Sequence, residues 1–199
     1  MTGFDFTGDT VSCFLERIAS DAPAPGGGAA AAVSAAMAAG LVAMAARRST
    51  GHLDAAHELI NEADHLRAEA LRAAREDAEA YEEVLTTYRL PTSCADRPAR
   101  LRSALEQAVR TPLAIAELGA TVASLGSVVA NDGNPNLHGD AVVAVILADA
   151  SVKAAARLVE INVAVGRLEG HWLDEINGQL EATADAVRLV RPLRGAGVR

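Results

Sequence analysis

Apolar residues along this chain recur at spacings of three and four, and no segment shows the strict alternation of a strand. Asp9 or Thr10 caps a first short helix in which Val11, Phe14, Leu15 and Ile18 form one apolar stripe. The turn Pro23-Ala24-Pro25-Gly26-Gly27-Gly28 ends it and opens into a helix over 29–46 that is almost all alanine, with Val33, Met37, Leu41, Val42 and Met44. Ser49-Thr50-Gly51 breaks that helix. A third runs from about Leu53 to Tyr88 without Gly or Pro, and Pro91 stops it. At the helical rise per residue it spans about 50 Å, so the bundle is elongated. Pro98 starts a fourth helix ending near Arg110, Thr111-Pro112 kinks or restarts the chain, and a further helix reaches about Leu125. Asn131-Asp132-Gly133-Asn134-Pro135-Asn136 is the second strong break. Beyond it Asp140 begins a long apolar helix through Val142, Val145, Ile146, Val152, Leu158 and Val163, ended by Gly170. A last helix covers roughly Trp172 to Val190. The pattern predicts an all-α fold, a single domain over 1–199 built as an elongated bundle of about six helices.

Composition sharpens this picture. Half of the residues are hydrophobic but only 3% are aromatic, so Ala, Leu and Val must build the core. That suits closely packed helices better than a sheet. The net charge of −8 and the lack of a dense basic block argue against a nucleic-acid surface. Cys13 and Cys94 have no zinc or disulfide spacing, and His52, His57, His65, His138 and His171 show no ligand pattern, so no metal is expected. Gly26–Ala46 is long enough to span a membrane, but its Ala and Gly are weakly apolar and a buried helix is expected instead. Met1-Thr2-Gly3-Phe4-Asp5 lacks a signal-peptide pattern, so a cytoplasmic protein is expected. The four arginines from Arg188 to Arg199 mark a solvated end, or one that attracts an anionic tail.

Three places carry candidate chemistry. The first is Pro25, Gly26, Gly27 and Gly28. Glycine there allows left-handed backbone or a close approach, and the helix start offers free N–H groups to an anion. The second is the third helix, where Leu59, Ala63, Leu66, Ala70, Ala73, Ala80, Val84 and Tyr88 form a seam whose missing member is Asp77. A carboxylate on such a seam is either paired, with Arg75 or an arginine of another helix, or used chemically. Tyr81 lies one turn on and shares its surroundings. The third is the Asn-rich break. Asn134 and Asn136 either make Asx turns with Asp140 as a helix cap, or present amides to a heterocycle. Asn162, inside an apolar run, needs partners from another helix or from a ligand.

These segments, in this order, resemble the cyclodeaminase/cyclohydrolase family of folate one-carbon metabolism. The residues that carry the resemblance are Pro23–Gly28 with its Ala helix, Glu76-Asp77-Ala78-Glu79-Ala80-Tyr81, Arg110-Thr111-Pro112-Leu113, Gly133-Asn134-Pro135-Asn136 with Asp140, and Ile161-Asn162. It spans about Val11 to Leu168. The family implies an all-helical homodimer that takes a tetrahydrofolate derivative as substrate, without metal, and it implies a catalytic role for the acid matched by Asp77. Two positions depart from the family pattern. Gly139 stands where Ser or Thr is usual, and Leu158 stands where a further Asn is usual, each removing a hydrogen-bonding group.

The resemblance therefore leads to hydrolysis of 5,10-methenyltetrahydrofolate to 10-formyltetrahydrofolate. Asp77 would act on the attacking water, Asn134, Asn136 and Asp140 would bind the pterin or orient that water, and Gly26–Gly28 would line the pocket. Cyclodeamination of 5-formiminotetrahydrofolate, with release of ammonia, is the close alternative. A folate-binding or structural helical dimer without turnover is the third reading, motivated by Gly139 and Leu158.

Overall fold

The structure is a computed structural model, and it describes residue 6 and residues 8–192. Among those residues every regular element is helical. In chain order they are α1 (Val11–Ile18), α2 (Gly27–Arg47), α3 (Ala56–Tyr88), α4 (Arg97–Asp132), a 3-10 turn (Pro135–Leu137), α5 (His138–Gly166) and α6 (His171–Leu189). Residues 1–5, on which the signal-peptide expectation rests, lie outside the described residues, as do Arg194 and Arg199 of the basic tail. Arg188 and Arg191 are described, and they pair with Asp185 and Asp132.

The bundle is arranged around α2, which packs against α3, α4 and α5. Twelve of its 21 residues are buried, too many for one stripe. That is why its sequence shows apolar residues all round rather than an amphipathic face. α2 and α4 are both long and apolar enough to cross a membrane, and each buries 61% of its most apolar stretch inside the bundle. α4 and α5 share the most extensive helix–helix contact, and glycine makes it possible. A Cβ on Gly119 would meet Val152 Cγ2 at 2.7 Å, and one on Gly126 would meet Val145 Cγ2 at 2.8 Å. A buried bond from Ser151 Oγ to the Ala31 carbonyl, 2.8 Å, ties α5 to α2.

Four expectations need correction. Thr111-Pro112 does not divide the fourth helix: α4 runs unbroken over 36 residues and continues past Leu125 to Asp132. Pro112 is fully buried there, and the carbonyl it leaves without a helical donor is satisfied from α5, as described below. The α5 helix ends at Gly166 rather than Gly170, because Arg167 turns left-handed (φ 47°) and the Leu168 N–H returns to Val163 at 3.0 Å. On α3 the seam is buried as expected from Leu59 to Val84. Its last member, however, is Thr87, fully buried, whereas Tyr88 is 45% exposed. The helical period of 3.6 has drifted by one position over that length. The stripe on α1 is not core either: α1 buries no residue, and Val11 and Leu15 are 78% and 58% exposed.

Helix approach at glycine gives a direct test by urea denaturation. Gly119→Ala should destabilise the protein by about 1–3 kcal/mol, because Val152 must move. Gly178→Ala, on α6 with nothing within 4 Å of the new methyl, should stabilise it by about 0.5–1 kcal/mol.

Candidate active site

Four elements converge at the end of the bundle that holds Asp77. The turn before α2 brings Pro23 and Ala24, and α2 itself brings Gly27 and Gly28 behind Gly26. α3 contributes Asp77, Ala78 and Tyr81. Ala108 and Thr111 come from α4, and Leu158, Ile161 and Asn162 from α5. Together they enclose a cleft of about 330 Å³. Its walls are mainly alkyl carbon and backbone, and among the described residues no arginine, lysine or histidine lines it.

Asp77 is the one carboxylate on this lining. Arg75, a candidate partner from sequence, faces Glu79 instead at 3.7 Å. The side chain that hydrogen-bonds Asp77 is Thr111, whose Oγ1 lies 3.5 Å from Oδ1 and 3.4 Å from the Gln107 carbonyl. That single hydroxyl stabilises the anion only weakly. Burial therefore dominates and raises the Asp77 carboxyl from 3.8 to about 6, with the Thr111 contact pulling slightly the other way.

Gly28 explains how the carboxylate fits. A Cβ there would sit 2.1 Å from Asp77 Oδ2 and 2.2 Å from Cγ, so the acid occupies the space of a missing side chain. The described glycines all have negative φ, so the expectation of left-handed backbone in this turn is not met. Close approach is the reason for glycine, and only at position 28: a Cβ on Gly27 meets nothing, and one on Gly26 only grazes Pro23 O at 4.0 Å. Pro25 lies buried beneath the turn, behind a cis Ala24–Pro25 peptide, and does not line the cleft.

Tyr81 and Asn162 do line the cleft, with Tyr81 46% exposed. Asn134, Asn136 and Asp140 do not. They lie past the far end of α4, and the 22 residues from Thr111 to Asp132 correspond to roughly 33 Å of helix. Asn134 is engaged structurally. Its Oδ1 accepts the Asn136 N–H at 3.0 Å, its Nδ2 donates to the Arg48 carbonyl at 3.1 Å, and its N–H donates to Ser49 Oγ at 2.9 Å. The loop thereby pins the α4–α5 turn to the end of α2. Asp140 is exposed in the first turn of α5 and makes no cap hydrogen bond, although a carboxylate there favours the helix dipole. Sequence reading leaves Thr111 out of the site, although it belongs to one of the segments that carry the family resemblance, and the structure buries it. Of the two departures from the family pattern, Leu158 is on the cleft wall, while Gly139 is exposed with open space around it.

The all-helical bundle that carries this cleft is a fold that known proteins share. Residues 10–176 match the family model described as formiminotransferase-cyclodeaminase. The chain belongs to that family. It is similar to the methenyltetrahydrofolate cyclohydrolase of Methylorubrum extorquens, 36% identical over 164 residues, covering 77% of this chain and 79% of that protein. The formimidoyltransferase-cyclodeaminase of Sus scrofa is 38% identical over 122 residues, which cover 56% of this chain and 22% of that longer protein. The fold matches the crystal structure of formiminotetrahydrofolate cyclodeaminase from Thermotoga maritima with a TM-score of 0.83 at 25% identity, covering 94% of this chain and 96% of that one.

The seat of Asp77 predicts two outcomes. Gly28→Ala should expel the carboxylate toward solvent and return its pKa to about 4, whereas Gly27→Ala should leave it near 6; carboxyl-carbon NMR titration reads both. Because the folded pKa is raised, the stability linked to Asp77 is full below the unfolded value and is lost as pH rises through about 6. Asp77→Asn should therefore be more stable than the parent at pH 7.5, by about 2–3 kcal/mol. That gain should vanish toward pH 4, as measured by urea midpoints at both pH values.

Proposed function

We propose that this protein is a methenyltetrahydrofolate cyclohydrolase, a cytoplasmic homodimer that converts 5,10-methenyltetrahydrofolate to 10-formyltetrahydrofolate. The observation that carries the reading is Asp77, an acid raised to about 6 in a cleft where the described residues offer it no cationic side chain. Such a site lacks a positive charge, and the substrate's bridging carbon is part of an amidinium-like cation that supplies one. Ionised at neutral pH, Asp77 stabilises the cation and takes a proton from the attacking water, with a basicity that its desolvation increases. Hydroxide adds to the bridging carbon. The carbon–N5 bond then breaks as the carbinol proton passes to N5, leaving the formyl group on N10 and one proton for solvent. Gly26, Gly27, Gly28, Tyr81 and Asn162 border the bound folate. Asn134, Asn136 and Asp140 have no place in that site within one chain, so a folate contact from them requires the loop of a second copy. The similarity to the Methylorubrum enzyme over most of both chains supports this reaction.

The Thermotoga structure favours a second reading, cyclodeamination of 5-formiminotetrahydrofolate. Ammonia release from that substrate, set beside loss of the methenyl chromophore, separates the two activities. A chain that binds folate and turns over neither substrate would be the non-catalytic relative.

The acid predicts the pH profile. For hydrolysis of the methenyl substrate, kcat/KM should rise through an apparent pKa near 6 and then level, because it reports the free protein. In kcat the same limb should lie at lower pH, since the bound cation favours the carboxylate. Asp77→Asn should keep the fold and lose about 10²–10⁴ in kcat. An Asp77→Asn variant as active as the parent would refute the assignment.

A further inference from the structure

We propose that Pro112 is a positioning residue for the cleft: by withholding an N–H from α4, it leaves the Ala108 carbonyl free to hold the Asn162 amide in one orientation. In a helix the N–H of residue 112 would bond the carbonyl of residue 108, and proline has none. Asn162 Nδ2, from α5, donates to that same carbonyl. A carbonyl only accepts, so the amide nitrogen must face Ala108 and the amide oxygen must face away. Among the described residues Asn162 Oδ1 has no hydrogen-bond partner, and it is not a buried orphan. On a half-buried residue of the cleft wall, it is an acceptor presented to whatever occupies the cleft.

A purely structural account of this pair is poor. Alanine at 112 would satisfy the Ala108 carbonyl within α4, with no proline in a helix interior and no amide buried beside it. Proline here costs helix stability, and what it produces is the orientation of one side chain on the Asp77 cleft. The role extends the reading given above, because it takes Asn162 Oδ1 to contact the folate or the attacking water.

The test is a double-mutant cycle on kcat/KM for 5,10-methenyltetrahydrofolate, with thermal melts and side-chain amide NMR on the same four proteins. Pro112→Ala supplies an N–H that competes for the carbonyl. It should leave the melting temperature unchanged or higher and lower kcat/KM about tenfold, the scale of one lost hydrogen bond. The effect is partial because a carbonyl retains a second lone pair for Asn162. In an Asn162→Ala background the same substitution should have no further effect. The Asn162 NH₂ pair, identified by its absence from the Asn162→Ala spectrum, should shift in Pro112→Ala toward the position of a solvated amide. Full activity in Pro112→Ala, or effects that add in the double variant, would overturn the proposal. If the parent turns over no folate at all, the functional reading fails and the spectrum decides alone. An Asn162 amide unmoved by Pro112→Ala then removes the positioning role.

Discussion

A helix with almost no side-chain volume stands at the centre of this bundle, and the rest of the structure is arranged by how closely it can be approached. α2 is alanine and glycine at most of its buried positions. Neighbouring backbones therefore come near on three sides, and the core closes with 3% aromatic content. Each alanine buries little apolar area, so stability must come from many close contacts rather than a few large anchors. The glycines of α4 extend the same device to α5, where Gly119 and Gly126 receive the methyls of Val152 and Val145.

The candidate active site follows from that packing. Where α2 meets α3, the missing Cβ of Gly28 leaves a space that the Asp77 carboxylate fills. Among the described residues only a long contact to Thr111 compensates the charge, so burial governs the acid and pushes its pKa to about 6. The protein thereby holds a carboxylate that is ionised at neutral pH but less stable there than a solvated one would be. Stability has been given up locally, as at many sites whose chemistry needs an under-solvated base. The polar groups around it are few and each is held: Thr111 bonds back to the Gln107 carbonyl within α4, and Asn162 on α5 is tethered to Ala108 on α4.

The opposite end of the bundle is built on a different principle. There the Asn134 loop is laced to the end of α2 through Ser49 and Arg48, and His138 Nδ1 lies 2.9 Å from the Ala130 carbonyl. This end satisfies its polar groups internally, whereas the Asp77 end leaves an acid and an amide oxygen open to a cleft. The contrast separates two motifs that resemblance had joined into one pocket.

Much of this was legible in the sequence. Helical periodicity is a local property, so the six helices, the buried alanine helix and the seam of α3 could be read directly. Asp77 stood out because it breaks that seam. Composition alone excluded an aromatic core, and the order of motifs indicated the family. What the tertiary structure decided is everything that depends on a partner across space. It showed that glycine is needed at position 28 and not at 27, because only there does an acid from another helix intrude. It kept α4 continuous through Pro112, because an amide on α5 satisfies the carbonyl left free by the proline. It buried Thr87 in place of Tyr88, left Val11 and Leu15 of the α1 stripe in solvent, and placed the Asn134 loop far from Asp77. Spacing along a chain reveals which residues share a face of one helix, but not what the facing helix brings to meet them.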